Sequence, residues 1–255
     1  GGTNNITGLD FQPDWCWLKS RSGGFEHAWY DALRGATQDL SSSTNEQEQD
    51  FNNKLTAFNS DGFSLGNNAG VNQNTTTYVS WNWKANGQGS SNTAGSINTT
   101  YTSANTTSGV SVTTYTGNGS SGATIGHGLG AVPEVAIVKL RSGAGYDWGV
   151  YHASLGNEKN MRLNLTDSIA DSTAFWNDTS PTSSLFSLGD QGFVNGSSKN
   201  YVAYCFADVQ GYSKFGSYVG NGNVNGSFIY TGFSPAFVIC KKTSGADNWM
   251  MFTNK

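Results

Sequence analysis

The sequence predicts an all-β protein made of tandem antiparallel β-sandwich domains of jelly-roll type, and three observations carry that prediction. The first is composition: 13% of the residues are charged, 13% are aromatic, and 33 of the 255 are glycine. Gly, Ser, Thr and Asn make turns and polar strand faces. Thr, Val and the aromatics favour strands. The second is alternation, as in Tyr78-Val79-Ser80-Trp81-Asn82-Trp83, where every other residue is large and apolar. The third is an internal repeat, which is sought first because it changes the fold reading.

The same bulk properties exclude several functions. A net charge of −4 lacks the basic footprint of a nucleic-acid binder and the Lys/Arg face of a membrane-surface helix. No apolar stretch approaches the roughly 18 residues of a membrane-spanning helix, so no membrane insertion is expected. Cys16, Cys205 and Cys240 form no CxxC pair and read as buried free thiols. The chain shows no signal peptide and opens on Gly1, so it reads as a piece of something longer.

The repeat starts at a proline-led strand. Gly8-Leu9-Asp10-Phe11-Gln12-Pro13 precedes Asp14–Leu18, and Gly128-Leu129-Gly130-Ala131-Val132-Pro133 precedes Glu134–Val138. Gly232-Phe233-Ser234-Pro235 precedes Ala236–Cys240. Phe63-Ser64-Leu65-Gly66 returns as Phe186-Ser187-Leu188-Gly189, and Tyr78–Trp83 returns as Tyr201–Phe206. Tyr115–Gly119 returns as Tyr218–Gly222, and Trp148 and Tyr151 match Trp249 and Phe252. The period, roughly 100–120 residues, suits a whole sandwich domain per copy rather than a solenoid.

Three domains follow from this spacing: residues 1–86, a first sandwich lacking its first strand; residues 87–215, a complete second copy with a Gly/Ser/Thr-rich opening segment; and residues 216–255, the start of a third. Period-2 alternation assigns Val79, Trp81, Trp83 and Val202, Tyr204, Phe206 to the core face of each sandwich, with Tyr78, Ser80 and Asn82 on the other. The proline-led strands are apolar on both faces, through Trp15, Trp17 against Cys16, Leu18. They are therefore expected to be covered on both sides, with Trp15 and Trp17 packing against a second domain or subunit.

Two stretches fall outside the repeat. Residues 36–55 read as an insertion with one helical turn near Ser43-Thr44-Asn45-Glu46, which resembles a capping box. Residues 85–110 have the composition of a flexible linker, with Ile97, Tyr101, Val110 and Val112 suggesting a polar edge strand within it.

Catalytic patterns are sparse, and no catalytic residue is assigned. His27, His127 and His152 are the only histidines, with no HxH, HExxH or EF-hand pattern. His127 lies where the other copies carry Thr7 and Thr231, so it reads as a turn or surface histidine. The run Gly126–Gly130 opens no helix, which defeats a dinucleotide reading. Scattered carboxylates give no obvious glycosidase pair. No cofactor is expected, and a loop-bound Ca²⁺ is left open.

The strings GLDFQPDWCWLKSRS, FNSDGFSLG, YVSWNWKA, TIGHGLGAVPEVAIVK, FWNDTSPTSSLFSLG and YVAYCFADVQGYSKFGSYVGNG resemble a repeat family of marine bacteriophage tail-fibre and other virion proteins with concanavalin-A-like units. The resemblance covers nearly the whole chain. It implies a virion-surface or extracellular location and partners among other virion proteins, copies of itself (a homo-oligomer, with a trimer as the fibre analogy) and a host glycan or envelope protein. The expected function is a fibre or adhesin module for host attachment. The alternatives are a purely structural capsid decoration or shaft spacer and, behind it, a polysaccharide depolymerase. Carbohydrate binding would use aromatics that do not repeat, beside amides and carboxylates. The candidates are Phe25, Tyr146, Trp176 and Phe193, near Asp147, Asn177 and Asp178.

Overall fold

A computed structural model describes residues 2–254, and the fold class is all-β, as the sequence predicts. The first unit contains β1 (Asn4–Thr7), β2 (Trp15–Ser20), β3 (Ala28–Asp31), β4 (Gln38–Ser41), β5 (Gln49–Asp50), β6 (Leu55–Asn59), β7 (Gly62–Leu65), a one-turn helix α1 (Ala69–Asn72) and β8 (Tyr78–Trp83). Its sheets run β5-β4-β3-β2-β8 and β1-β7-β6. Cys16, Leu18, Ala28 and Tyr30 from the first sheet meet Leu55, Phe63 and Leu65 from the second, which closes a core between them.

The second unit contains β9 (Tyr101–Asn105), β10 (Val110–Thr116), β11 (Ala123–Gly126), β12 (Val135–Leu140), β13 (Gly149–His152), β14 (Lys159–Arg162), β15 (Ala170–Asp171), α2 (Thr173–Trp176), β16 (Leu185–Leu188) and β17 (Asn200–Phe206). Its large sheet runs β15-β14-β13-β12-β17-β10-β9, faced by the pair β11-β16. A last hairpin joins β18 (Phe237–Lys241) and β19 (Trp249–Thr253).

The pairing registers match between units. Cys16 faces Tyr30 and Trp17 faces Trp29 across β2/β3; Ala136 faces Tyr151 and Ile137 faces Val150 across β12/β13; Val238 faces Phe252 and Ile239 faces Met251 across β18/β19. The repeated FSLG glycine has a steric cause. A Cβ on Gly66 would lie 2.4 Å from the Asn53 carbonyl oxygen, and one on Gly189 would lie 2.0 Å from that of Ala174.

Three sequence expectations are corrected. First, Trp81, Trp83, Val202, Tyr204 and Phe206 do not face their own sandwich cores. They share a face with Trp15, Trp17, Val135 and Ile137, and that face packs unit against unit. Ala203 and Cys205 turn inward instead. Alternation identifies the two faces but not what covers each one. Second, residues 36–55 are not an insertion. They hold β4 and β5, whose pairings (Trp29 with Leu40, Gln38 with Asp50) return as β14 and β15 (Val150 with Met161, Lys159 with Asp171). Backbone pairing is retained there while side chains diverge, and no helix forms at Ser43–Glu46. Third, residues 85–110 are packed rather than linker-like. Ile97, Thr99 and Ser103 are buried, and β9 forms the polar edge strand beside β10. The hydroxyls bond one another there, as in Thr99 Oγ1 to Thr102 Oγ1 at 3.0 Å, so polar composition is satisfied internally.

Cys16 and Cys205 are buried free thiols, and Cys240 is half-buried. Burial pushes the Cys205 thiol up to about 12. His127 is fully buried, not a surface histidine. Its Nδ1 accepts from Leu129 N–H at 3.2 Å, which leaves Nε2–H to donate to the Thr182 carbonyl at 3.1 Å. Among the described residues no helix is long and apolar enough to cross a membrane.

Candidate functional site

The dominant constellation of the molecule is the seam between units. Trp15 stacks on Trp83 at 3.9 Å between centroids, meets Trp29 edge-on at 4.7 Å, and crosses to Tyr204 at 5.0 Å and Phe206 at 5.6 Å. Phe237 of the last hairpin lies 5.4 Å from Trp81 and 6.3 Å from Trp17. The two-faced apolar strands thus have a structural reason. One face closes each sandwich, and the other, with Trp15 and Trp17, closes the seam. Each aromatic buried there contributes about 1.5–3 kcal/mol by area alone.

A buried polar network runs through the same seam. Arg34 Nε bonds Asp31 Oδ2 at 2.5 Å, and its Nη1 reaches Glu48 at 3.1 Å. From the second unit, Tyr204 Oη–H donates to Asp31 at 2.6 Å, and Arg141 grips Glu48 through Nε at 3.0 Å and Nη2 at 2.8 Å. Burial works against the Arg34 charge, but Asp31, Tyr204 and Glu48 outweigh it and hold the guanidinium protonated. Burial also raises the Tyr204 phenol. The carbonyls of Gln38 and Trp29 take the remaining Arg34 donors. Every group is partnered, as a buried network requires. Sequence reading missed this network because Asp31, Arg34 and Glu48 have no charged counterpart in the second unit. The only cue was three charges set among the seam tryptophans.

The candidate glycan residues fall into three groups. Trp176 is fully buried, with Nε1–H donating to the Lys159 carbonyl at 3.0 Å, so it offers no stacking face. Asn177 and Asp178 beside it sit at φ 53° and 45° and turn the chain out of α2. Asn177 holds Ser121 at 2.7 Å, and Asp178 is exposed. Phe25 is remote from these. It corresponds to Tyr146, because Lys19 Nζ caps the Phe25 carbonyl as Lys139 Nζ caps that of Tyr146, both at 2.5 Å. These two aromatics therefore do repeat, as loop anchors. Burial lowers the Lys139 ammonium to about 8, with Asp147 and Glu46 offsetting part of the shift.

Tyr146, Asp147 and Phe193 do come together. Tyr146 meets Phe193 edge-on at 5.3 Å, and the Arg162 guanidinium carbon lies 4.2 Å from the Phe193 ring centroid. Asp147 accepts from Asn164 at 2.8 Å and lies 3.5 Å from Arg162. All five are half-buried. Arg162 and Asn164 sit at and just past the end of β14 and carry no sequence motif, so a search for non-repeating aromatics does not find them.

Two open clefts exist elsewhere. One of about 510 Å³ is lined by Asn86, Ser90, Asn92, Thr93, Thr102 and their neighbours, with no charged or aromatic side chain. A smaller one of about 270 Å³ opens on Gln47, Glu48, Arg141, Ser142 and Asn200 at the seam. Among the described residues no group of three or more His, Cys, Asp or Glu is placed to hold a metal.

The chain belongs to the family described as Domain of unknown function (DUF7483), whose model matches residues 1–255. No curated protein and no solved structure matches it.

Proposed function

We propose that this chain is a structural module of a bacteriophage virion surface, a fibre or decoration element in which rigidly joined β units hold loops outward. One observation carries the reading. The tryptophan seam with its Arg34–Asp31–Tyr204–Glu48–Arg141 network joins the units through buried side chains, and its Glu48–Arg141 end borders a small open cleft. Immunogold labelling of intact particles with antibody to the chain tests it. Labelled tails or capsids support the reading, and particles devoid of the chain overturn it.

Host attachment is the second reading, favoured by the half-buried Tyr146–Phe193–Arg162–Asp147–Asn164 patch. It combines an aromatic edge with amide and carboxylate groups, the chemistry of a sugar subsite. A host-glycan array probed with the wild type and with Phe193→Ala decides it. Retained wild-type binding that the variant loses supports attachment, and no binding by the wild type removes it.

A further inference from the structure

The dipeptide Asn-Gly occurs three times in the first two units, at Asn86-Gly87, Asn118-Gly119 and Asn195-Gly196. The three share one latent reaction. Glycine has no Cβ to hinder its backbone nitrogen, so that nitrogen can attack the carboxamide carbon of the preceding asparagine and close a cyclic imide. The reaction needs a carboxamide free to turn, an amide nitrogen free of its acceptor, and room for the ring. The fold treats the three copies differently on each count.

Two copies are locked, largely by each other. Asn195 is fully buried. Its Nδ2 donates to Asn118 Oδ1 at 3.2 Å, to the Ser120 carbonyl at 2.9 Å and to the Gly189 carbonyl at 3.0 Å, and its Oδ1 accepts from Asn118 N–H at 2.9 Å. Asn118 Oδ1 also accepts from Ser120 N–H at 2.9 Å. Both attacking nitrogens are engaged as well. Gly119 N–H donates to the Asn195 carbonyl at 2.9 Å, and Gly196 N–H donates to Tyr201 Oη at 2.7 Å. Space is short at each: a Cβ on Gly119 would lie 3.1 Å from Ser197 Cβ, and one on Gly196 would lie 3.0 Å from Tyr201 Oη.

The third copy meets all three conditions. Asn86 is exposed. Among the described residues neither its carboxamide nor the Gly87 N–H has a hydrogen-bond partner. A Cβ on Gly87 would meet nothing within 4 Å. The chain on either side is fixed: Ala85 N–H donates to Asp14 Oδ2 at 2.7 Å, Asn86 N–H to Ser103 Oγ at 2.7 Å, and Gly89 N–H to the Asn86 carbonyl at 3.1 Å. The reactive pair thus sits in an anchored turn between β8 and β9, with only its reacting groups unrestrained. Asn86 also lines the larger cleft, whose other walls carry no charge.

We propose that Asn86 is a self-modification site, which converts through a succinimide to aspartate and isoaspartate while Asn118 and Asn195 stay intact. Gly87 N gives up its proton and bonds to Asn86 Cγ, the Cγ–Nδ2 bond breaks, and Nδ2 leaves as ammonia. Solvent water then opens the imide at either carbonyl, so one water enters for each ammonia lost and nothing is oxidised or reduced. Both products place a carboxylate on the rim of a cleft that otherwise has none. Isoaspartate also routes the main chain through the side-chain methylene, in the link between the first and second units. This inference stands apart from the virion reading and fails or succeeds independently of it.

The test incubates the whole chain at mildly alkaline pH in ¹⁸O-labelled water, which marks each residue as its imide opens. Labelled positions are located by peptide fragmentation in a mass spectrometer, and a second sample is followed in denaturant. In the folded chain Asn86 should convert at least about tenfold faster than Asn118 and Asn195, because the locked copies react only after local opening, and an opening cost of about 1.4 kcal/mol imposes that factor. In denaturant the advantage of Asn86 should disappear. Three results would overturn the proposal: a folded chain whose Asn86 stays intact; Asn118 or Asn195 keeping pace with Asn86 in the folded chain; or the same advantage persisting in denaturant, which would assign it to neighbouring sequence rather than to the fold.

Discussion

Replacing Trp148 with phenylalanine isolates the bond that locks the second unit onto the first. Trp148 is fully buried, its ring meets Trp29 at 4.8 Å, and Nε1–H is shared between the carbonyls of Ser41 (2.9 Å) and Thr44 (3.2 Å). Phenylalanine keeps most of the ring contact and removes the donor. Removing the donor leaves buried carbonyls without a partner, which costs about 1–3 kcal/mol. The smaller ring adds about 1 kcal/mol for the space it vacates, so the expected loss is about 2–4 kcal/mol in all. For a chain of this size each kcal/mol lowers Tm by about 2–4 °C, so thermal unfolding followed by circular dichroism should show a fall of about 4–16 °C. Because the bond crosses units, the transition of the variant should also be broader than that of the wild type, or split. A Tm within about 1 °C of wild type, with the transition unchanged, would refute the view that this indole holds the units together.

Further outcomes follow from the same geometry. Trp176→Ala should cost about 3–5 kcal/mol in urea unfolding, because the ring is a core element rather than a binding platform; a fully stable variant contradicts this. Glu48→Gln breaks the bridge from Arg34 to Arg141. It should lower stability by about 2–3 kcal/mol, less than the ~3–5 kcal/mol of an orphaned charge because Asp31 still holds Arg34. Burial lowers His27 from 6.5 to about 4, so the folded chain binds this proton later than the unfolded one. Its contribution is complete above pH 6.5 and is lost as pH falls toward about 4. The difference in unfolding free energy between wild type and His27→Phe should change in that window and be flat above it. Lys139 titrates near 8 when folded and near 10.5 when unfolded, so wild-type stability relative to Lys139→Met should rise between those values. A difference that stays flat across the window would show that the folded lysine titrates normally.

The sequence made the strands legible because their signal is local. Proline-led runs, alternation and the FSLG glycine each follow from a constraint within a few residues. The two apolar faces of Trp15–Leu18 likewise announced a covered outer surface. What alternation could not supply was the identity of each cover. Trp81 and Trp83 are the larger residues of β8, and size alone pointed them into their own sandwich. They face the seam instead, because it is filled by aromatics from three units while the other face carries Tyr78, Ser80 and Asn82. β4 and β14 were invisible because backbone registers repeat where side chains do not. Phe25 and Tyr146 looked unrelated for the converse reason, since what they share is a carbonyl held by a lysine. Of the candidate patch, Tyr146, Asp147 and Phe193 are legible in the sequence as aromatics with a neighbouring carboxylate. Arg162, which joins them, ends a short strand that no local pattern marks.

The contacts between units run in two opposed directions, which carries a mechanical consequence. Hairpin loops reach back to the preceding unit while the Trp15-type residues reach forward to the next, so a pull along the chain shears both sets at once. Units strung on flexible connections give way one at a time and pay out length in steps. Units clasped in both directions yield together, at a higher force and in one event.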